Sequence, residues 1–186
     1  MFDAECDMAA IVFGAHEDPD RLLLEFLADL RRSGFQAAGL VQLDRNQCAD
    51  AGDIRALSLV REDIVSLPHD RSPNSCACLF DTARLGDMAR AIDEAIGAGV
   101  DLVVINRFGK LEAEGKGLTG LIEHASDADI PVLIPVPEHR FYAWIQYSRG
   151  MSVRLACCRN AVNKWWRSVA RASRLERDGK LLFLTR

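Results

Sequence analysis

Behind the apolar run "DLVVI" the chain reads "NRFGKLEAEGKG", residues 106 to 117, and this stretch concentrates groups able to do chemistry. Arg107, Lys110 and Lys116 supply cations, and Gly109, Gly115 and Gly117 supply backbone freedom. Glu112 and Glu114 supply carboxylates, and Asn106 stands where the apolar run stops. A glycine-rich segment with interspersed lysine can wrap an oxyanion using N–H groups and ammonium together. The same residues also suit a solvated turn, in which Lys110 pairs with Glu114 at i, i+4 and the glycines only permit tight bends. Asn106 can donate or accept a hydrogen bond but offers a metal no charge, unlike the aspartate that ends such a strand in magnesium-dependent nucleotide hydrolases.

A second candidate is "GAHEDPD", residues 14 to 20. A phosphate-binding P-loop needs G-x-x-x-x-G-K-[ST], because glycine lets amides curl around phosphate, lysine reaches its charge and the hydroxyl holds magnesium. Here Gly14 is followed by no second glycine, no lysine and no hydroxyl. His16, Glu17, Asp18 and Asp20 bring acid instead. The following helix start still offers free N–H groups to an anion. The acids equally suit a cation, or simply cap the helix and complement its dipole.

Other chemistry-bearing residues form no pattern of comparable strength. The six cysteines include "CAC" at 76 to 78 but no C-x-x-C pair, so they are read as reduced, and no metal site is assigned. Cys78 is a candidate soft-metal thiol or a small buried residue. His16, His69, His124 and His139 form no ligand pair, and only His16 lies in a candidate loop. Phe141, Tyr142, Trp144, Trp165 and Trp166 suit either a stacking surface or core packing, and Arg167, Arg171, Arg174 and Arg177 give the last helix a basic side.

The elements that position the two loops follow from periodicity. "MAAIVFG" (8 to 14), "FQAAGLVQ" (35 to 42), "VDLVVIN" (100 to 106) and "IPVLIPV" (130 to 136) read as strands, the last with prolines that argue for strand edges or ends. "PDRLLLEFLADLRRSG" (19 to 34), "DTARLGDMARAIDEAIGAG" (81 to 99) and "LTGLIEHASDAD" (118 to 129) carry helical spacing, with Asp18 as N-cap and Pro19 at the first helical position. "IRALSLV" and "DIVSLPH" flank Arg61 and Glu62 as a small hairpin. Beyond 137, "EHRFYAWIQYS" and "RNAVNKWWRSVARASRLER" add one or two helices, and "KLLFLTR" a last strand. Alternating strands and helices imply a three-layer α/β fold, a mostly parallel sheet flanked by helices, with ligands at the carboxyl ends of the strands.

Length and composition frame these elements. The 186 residues, 49% hydrophobic and 27% charged, suit one domain over 1–186. A formal net charge of -4 gives no general pull toward nucleic acid or anionic lipid. The apolar stretches are too short to span a bilayer, and "MFDAECDMAA" lacks the features of a secretory signal, so a cytoplasmic protein with no membrane partner is expected.

"GLVQ" (39 to 42), "CLFD" (78 to 81), "DLVVINRFGKLEAEGKGL" (101 to 118) and "WW" (165 to 166) resemble a bacterial domain-of-unknown-function family, number 2478. That family more distantly resembles small P-loop nucleoside-triphosphatases of the thermophilic nucleoside-phosphatase group, in which a strand ending in acid is followed by glycine, lysine and glutamate. The resemblance implies a P-loop NTPase-like fold and aligns Asn106, Arg107, Phe108, Gly109, Lys110, Leu111 and Glu112 with that motif. The family's gene neighbourhoods imply a link to molybdenum handling, hence molybdate or tungstate as the ligand, with a nucleotide as the alternative.

The missing P-loop lysine and hydroxyl, with Asn106 in place of the strand-end acid, make ordinary magnesium-dependent hydrolysis unexpected. Glu112 is the residue that would orient water if the chain were a hydrolase. The expectation is a binding protein for a small anionic ligand, using Gly14, His16, Asn106, Arg107, Gly109, Lys110, Glu112, Gly115, Lys116 and Gly117. Two alternatives stand beside it: a divergent nucleoside-triphosphatase, and a regulatory module that docks a partner or a second copy through its aromatic, basic C-terminal helix.

Overall fold

Successive residues of the central strands send their side chains to opposite faces, and both faces are apolar, so the sheet must be covered on both sides. The computed structural model describes residues 6–43, 54–67 and 82–170. In chain order they form β1 (Met8–Phe13), α1 (Pro19–Arg32), β2 (Ala37–Gln42), β3 (Ile54–Ser58), β4 (Ile64–Leu67) and α2 (Thr82–Gly97). Next come β5 (Leu102–Val104), α3 (Lys110–Ala113), α4 (Thr119–Asp127), β6 (Val132–Pro137), a 3-10 turn (Glu138–Arg140), α5 (Phe141–Tyr147) and β7 (Val153–Ala156). A further helix, α6, is described over 159–170. "CLFD", Cys48, Cys76, Cys78, His69, Arg171, Arg174, Arg177 and "KLLFLTR" lie outside the described residues.

The seven strands run in the order β4-β3-β2-β5-β6-β1-β7. β2, β5, β6, β1 and β7 are mutually parallel, while β3 and β4 pair antiparallel. On one face Ala9, Ile11, Leu102, Val104 and Leu133 pack under α1 and α6. On the other, Ala10, Val12, Val103, Ile105 and Ile134 pack under α2, α4 and α5. This is the expected three-layer α/β fold, P-loop NTPase-like in class. The expected hairpin is present, and it extends the main sheet through β2 instead of standing apart from it.

Local chemistry explains the boundaries. Pro19 opens α1, and the Asp18 carboxylate accepts a hydrogen bond from the Arg21 N–H at 3.1 Å. The helix stops where Gly34 takes φ 80°. Two features depart from the sequence reading. β7, "VRLA", was not anticipated, because only Leu155 of its four residues is buried and so short a segment carries no readable period. Pro135 lies mid-strand in the central strand β6, not at an edge or end. Its carbonyl accepts from the Phe108 N–H at 2.9 Å, so its missing donor faces the side on which β5 has already ended.

Tryptophans 144, 165 and 166 are buried in the two cores, which removes the aromatic part of the expected C-terminal docking face; Arg167 remains exposed. Trp165 donates its indole N–H to the Cys6 carbonyl at 3.0 Å, tying α6 to the chain entering β1. Cys6, Cys157 and Cys158 are free thiols. Among the described residues no helix is long and apolar enough to cross a membrane.

At Gly39, φ is 130° and an added Cβ would lie 1.8 Å from the Val104 carbonyl oxygen of the paired strand. Gly39→Ala is therefore expected to destabilise the fold by about 3 kcal/mol or more, read by urea unfolding.

Candidate functional site

The turn after β1 is closed from within. Gly14 donates its N–H to the Glu17 carboxylate at 2.8 Å, and Glu17 returns its own N–H to the Gly14 carbonyl at 3.3 Å. An ideal Cβ at Gly14 would lie 3.7 Å from Glu17 Oε2 and 3.8 Å from Glu138 Oε2, so carboxylates from the ends of β1 and β6 flank this glycine. Glu17, Glu138 and His16 are exposed. Across the turn, at the end of β7, burial first and then the charges of Glu17, Asp18, Cys158 and Asp20 push the Cys157 thiol up to about 11.

Asp20, one residue into α1, is 4% exposed and holds Arg107. The guanidinium donates through Nε at 3.3 Å and through a second N–H to the other carboxylate oxygen, a two-point pairing between residues 87 apart in sequence. Its carbon also sits 5.3 Å from the Phe13 ring centroid. Arg107 thus bolts the loop after β5 to the start of α1 and to the end of β1. Beside it, Asn106 carries a buried Oδ1 with no hydrogen-bond partner among the described residues.

The loop after β5 is anchored by Phe108, which is fully buried. Its ring meets Trp144 edge-on at 5.1 Å and Tyr147 at 5.8 Å. Burial, with lesser contributions from Glu123 and Glu112, pushes the Tyr147 hydroxyl up to about 12. Past this anchor the chain wraps around its own carboxylate. Glu112, 8% exposed, accepts the Gly109 N–H at 3.0 Å and the Leu118 N–H at 3.3 Å. Gly117 has φ 65°, and a Cβ there would lie 2.3 Å from Glu112 Oε1. The glycines permit this closure, and Glu112 is occupied as a structural acceptor. Outside the wrap, Lys110 Nζ lies 3.9 Å and Lys116 Nζ 3.4 Å from the two oxygens of Glu114, all three side chains being largely exposed.

The fold therefore brings the candidates of the two loops to one edge of the sheet, but divides them. Gly14 and His16 lie in an acidic turn, Asn106 and Arg107 form a buried joint, and Lys110 and Lys116 make an exposed basic turn with Gly109, Gly115 and Gly117 as its hinges. Asp20 and Glu138 were not anticipated as partners, because pairings across 87 or more residues leave no local pattern. Among the described residues no group of three or more His, Cys, Asp or Glu side chains could hold a metal ion.

Removing one member of a largely buried ion pair leaves the other uncompensated. Arg107→Ala is expected to cost about 3–5 kcal/mol in urea unfolding, and Arg107→Met with Asp20→Leu to recover most of that loss.

Comparison with known proteins adds to this geometry. The chain is 38% identical over 175 residues to the molybdenum import ATP-binding protein ModC 2 of Bradyrhizobium diazoefficiens. The match covers 92% of this chain and 19% of that protein, so the chain spans about a fifth of its curated relative. No solved structure matches. The model of the family described as "Protein of unknown function (DUF2478)" matches residues 8–165, and the chain belongs to that family.

Proposed function

We propose that this chain is a non-hydrolysing binding module for a compact oxyanion, with molybdate or tungstate as its ligand, serving molybdenum handling. The observation that carries the reading is the pair of exposed ammonium groups, Lys110 and Lys116, sharing one carboxylate, Glu114. Glu112, the other acid of this turn, is turned inward onto amides, so two ammonium groups and one carboxylate stand on its exposed side at the edge of the sheet. A dianion bridging the two ammonium groups pairs with both of them. The likeness to a molybdenum import ATP-binding protein supports molybdenum as the element concerned.

The geometry favours binding over hydrolysis. Glu112, the candidate for orienting water, is held by the Gly109 and Leu118 amides. The turn after β1 lacks the P-loop lysine and hydroxyl and is ringed by acid, which repels a polyphosphate. The phosphate-binding motif is in this reading degenerate, and binding rests on exposed ammonium groups, so affinity falls with salt. A second reading, a regulatory module within a larger assembly, draws on the relative's length, of which this chain matches a fifth.

A thermal-shift series with molybdate, tungstate, sulfate and phosphate, beside ATP with and without magnesium, tests the proposal, since a ligand that binds only the folded state raises the melting temperature. Molybdate and tungstate are expected to raise it, with the shift abolished in Lys110→Ala/Lys116→Ala and reduced by added salt. An equal response in that double variant would refute the assigned site. Magnesium-dependent phosphate release that disappears in Glu112→Gln would refute the non-hydrolysing reading.

A further inference from the structure

The basic turn carries two glutamates, two residues apart, with opposite duties. Glu112 faces inward onto the Gly109 and Leu118 amides. Glu114 faces outward, with one carboxylate oxygen 3.9 Å from Lys110 Nζ and the other 3.4 Å from Lys116 Nζ. The backbone holds the three outer side chains in this relation. Lys110 opens α3 and Glu114 caps its end one turn later, the Glu114 N–H bonding to the Lys110 and Leu111 carbonyls at 3.1 Å each. Gly115, at φ 72°, then turns the chain back in a Schellman closure. Its N–H bonds to the Glu112 carbonyl at 3.1 Å, and the Lys116 N–H to the Leu111 carbonyl at 2.8 Å. That closure returns Lys116 to the side of Glu114.

We propose that Glu114 is an internal competitor for the anion: its carboxylate occupies the place between the two ammonium groups that an oxyanion takes, and swings out when one binds. The inference rests on the oxyanion reading of this turn and adds the residue that limits its affinity. A carboxylate and one edge of a tetrahedral oxyanion each offer two oxygens to two donors, so both answer to the same pair of cations. Being tethered, Glu114 competes at a high effective concentration. Its side chain is 41% exposed, and the hydrogen bonds that close the turn are made by the backbone and by Glu112. The Glu114 carboxylate therefore leaves by rotation about its own bonds while the turn keeps its shape. Each exposed pair of this type is worth about a factor of two in equilibrium, so the two together weaken anion binding about three- to fivefold.

Calorimetric titration of the full chain with molybdate at low salt, repeated with sulfate, tests this. Glu114→Gln is expected to tighten binding about three- to fivefold. Glu94→Gln, which makes the same charge change at an exposed position of α2, is expected to leave it unchanged. In carbon NMR of the parent chain, saturating molybdate is expected to move the Glu114 carboxyl resonance to its position in Lys110→Ala/Lys116→Ala. Binding by Glu114→Gln where the parent binds too weakly to measure supports the proposal as well. Unchanged or weaker binding in Glu114→Gln, with the parent binding, overturns the competitor and leaves the oxyanion reading standing. An equal gain in Glu94→Gln overturns it in favour of net charge, and a carboxyl resonance that stays in place at saturation overturns the displacement. A parent and a Glu114→Gln chain that bind neither anion overturn both the competitor and the oxyanion reading.

Discussion

A carboxylate taken out of water must be met by donors, and at the carboxyl edge of this sheet the chain meets that demand from within. Glu112 is met by the Gly109 and Leu118 amides and Asp20 by Arg107, while the exposed Glu17 and the partly exposed Asp18 take the Gly14 and Arg21 amides. Apart from the Arg107 pairing, these contacts close each loop on itself. The Arg107 joint is the one that crosses between them, and it holds the end of β5 to the start of α1 over the Phe13 ring. An edge that in a phosphate-binding protein turns free amides outward here turns several of them onto internal acids.

That arrangement accounts for what the glycines do. Gly117 is required by the closeness of the Glu112 carboxylate, and Gly109 serves as the N-cap whose amide Glu112 receives. The spacing G-K-L-E-A-E-G-K-G is thus that of half a capping box, in which Glu112 at N3 takes the N-cap amide and glycine has no side chain to return, followed by a turn that folds back over the same carboxylate. Both sequence interpretations of this stretch contain part of the arrangement. The Lys110 and Glu114 pairing of a solvated turn is present, and the amide wrap of an oxyanion site is present around an internal oxyanion.

How much of this was legible depends on sequence separation. Helix α1 and its cap were readable, because proline, aspartate and the apolar spacing of Leu22, Leu23, Phe26, Leu27 and Leu30 all act within one element. The three-layer fold was readable from alternation of strand and helix. β7 was hidden, because its one buried residue, Leu155, gives no period, and its place beside β1 is set by long-range pairing. The sequence shows Arg107 as a cation at the strand end and does not show its pairing with Asp20. Nothing local to "NRFG" announces Asp20, whose first-turn position suggested only a helix-dipole role.

The division of charge along the edge bears on which anion can be held. Glu17, Asp18 and Glu138 gather around the ends of β1 and β6, while Lys110 and Lys116 flank the turn after β5, with the neutralised Arg107 joint between. A triphosphate stretched from the β1 turn to the basic turn would lie partly against carboxylates, and every phosphate placed there loses Coulomb energy that no bound lysine returns. A compact tetrahedral dianion needs only the basic side. Under the proposed oxyanion reading, this distribution of charge favours a small anion over an extended one.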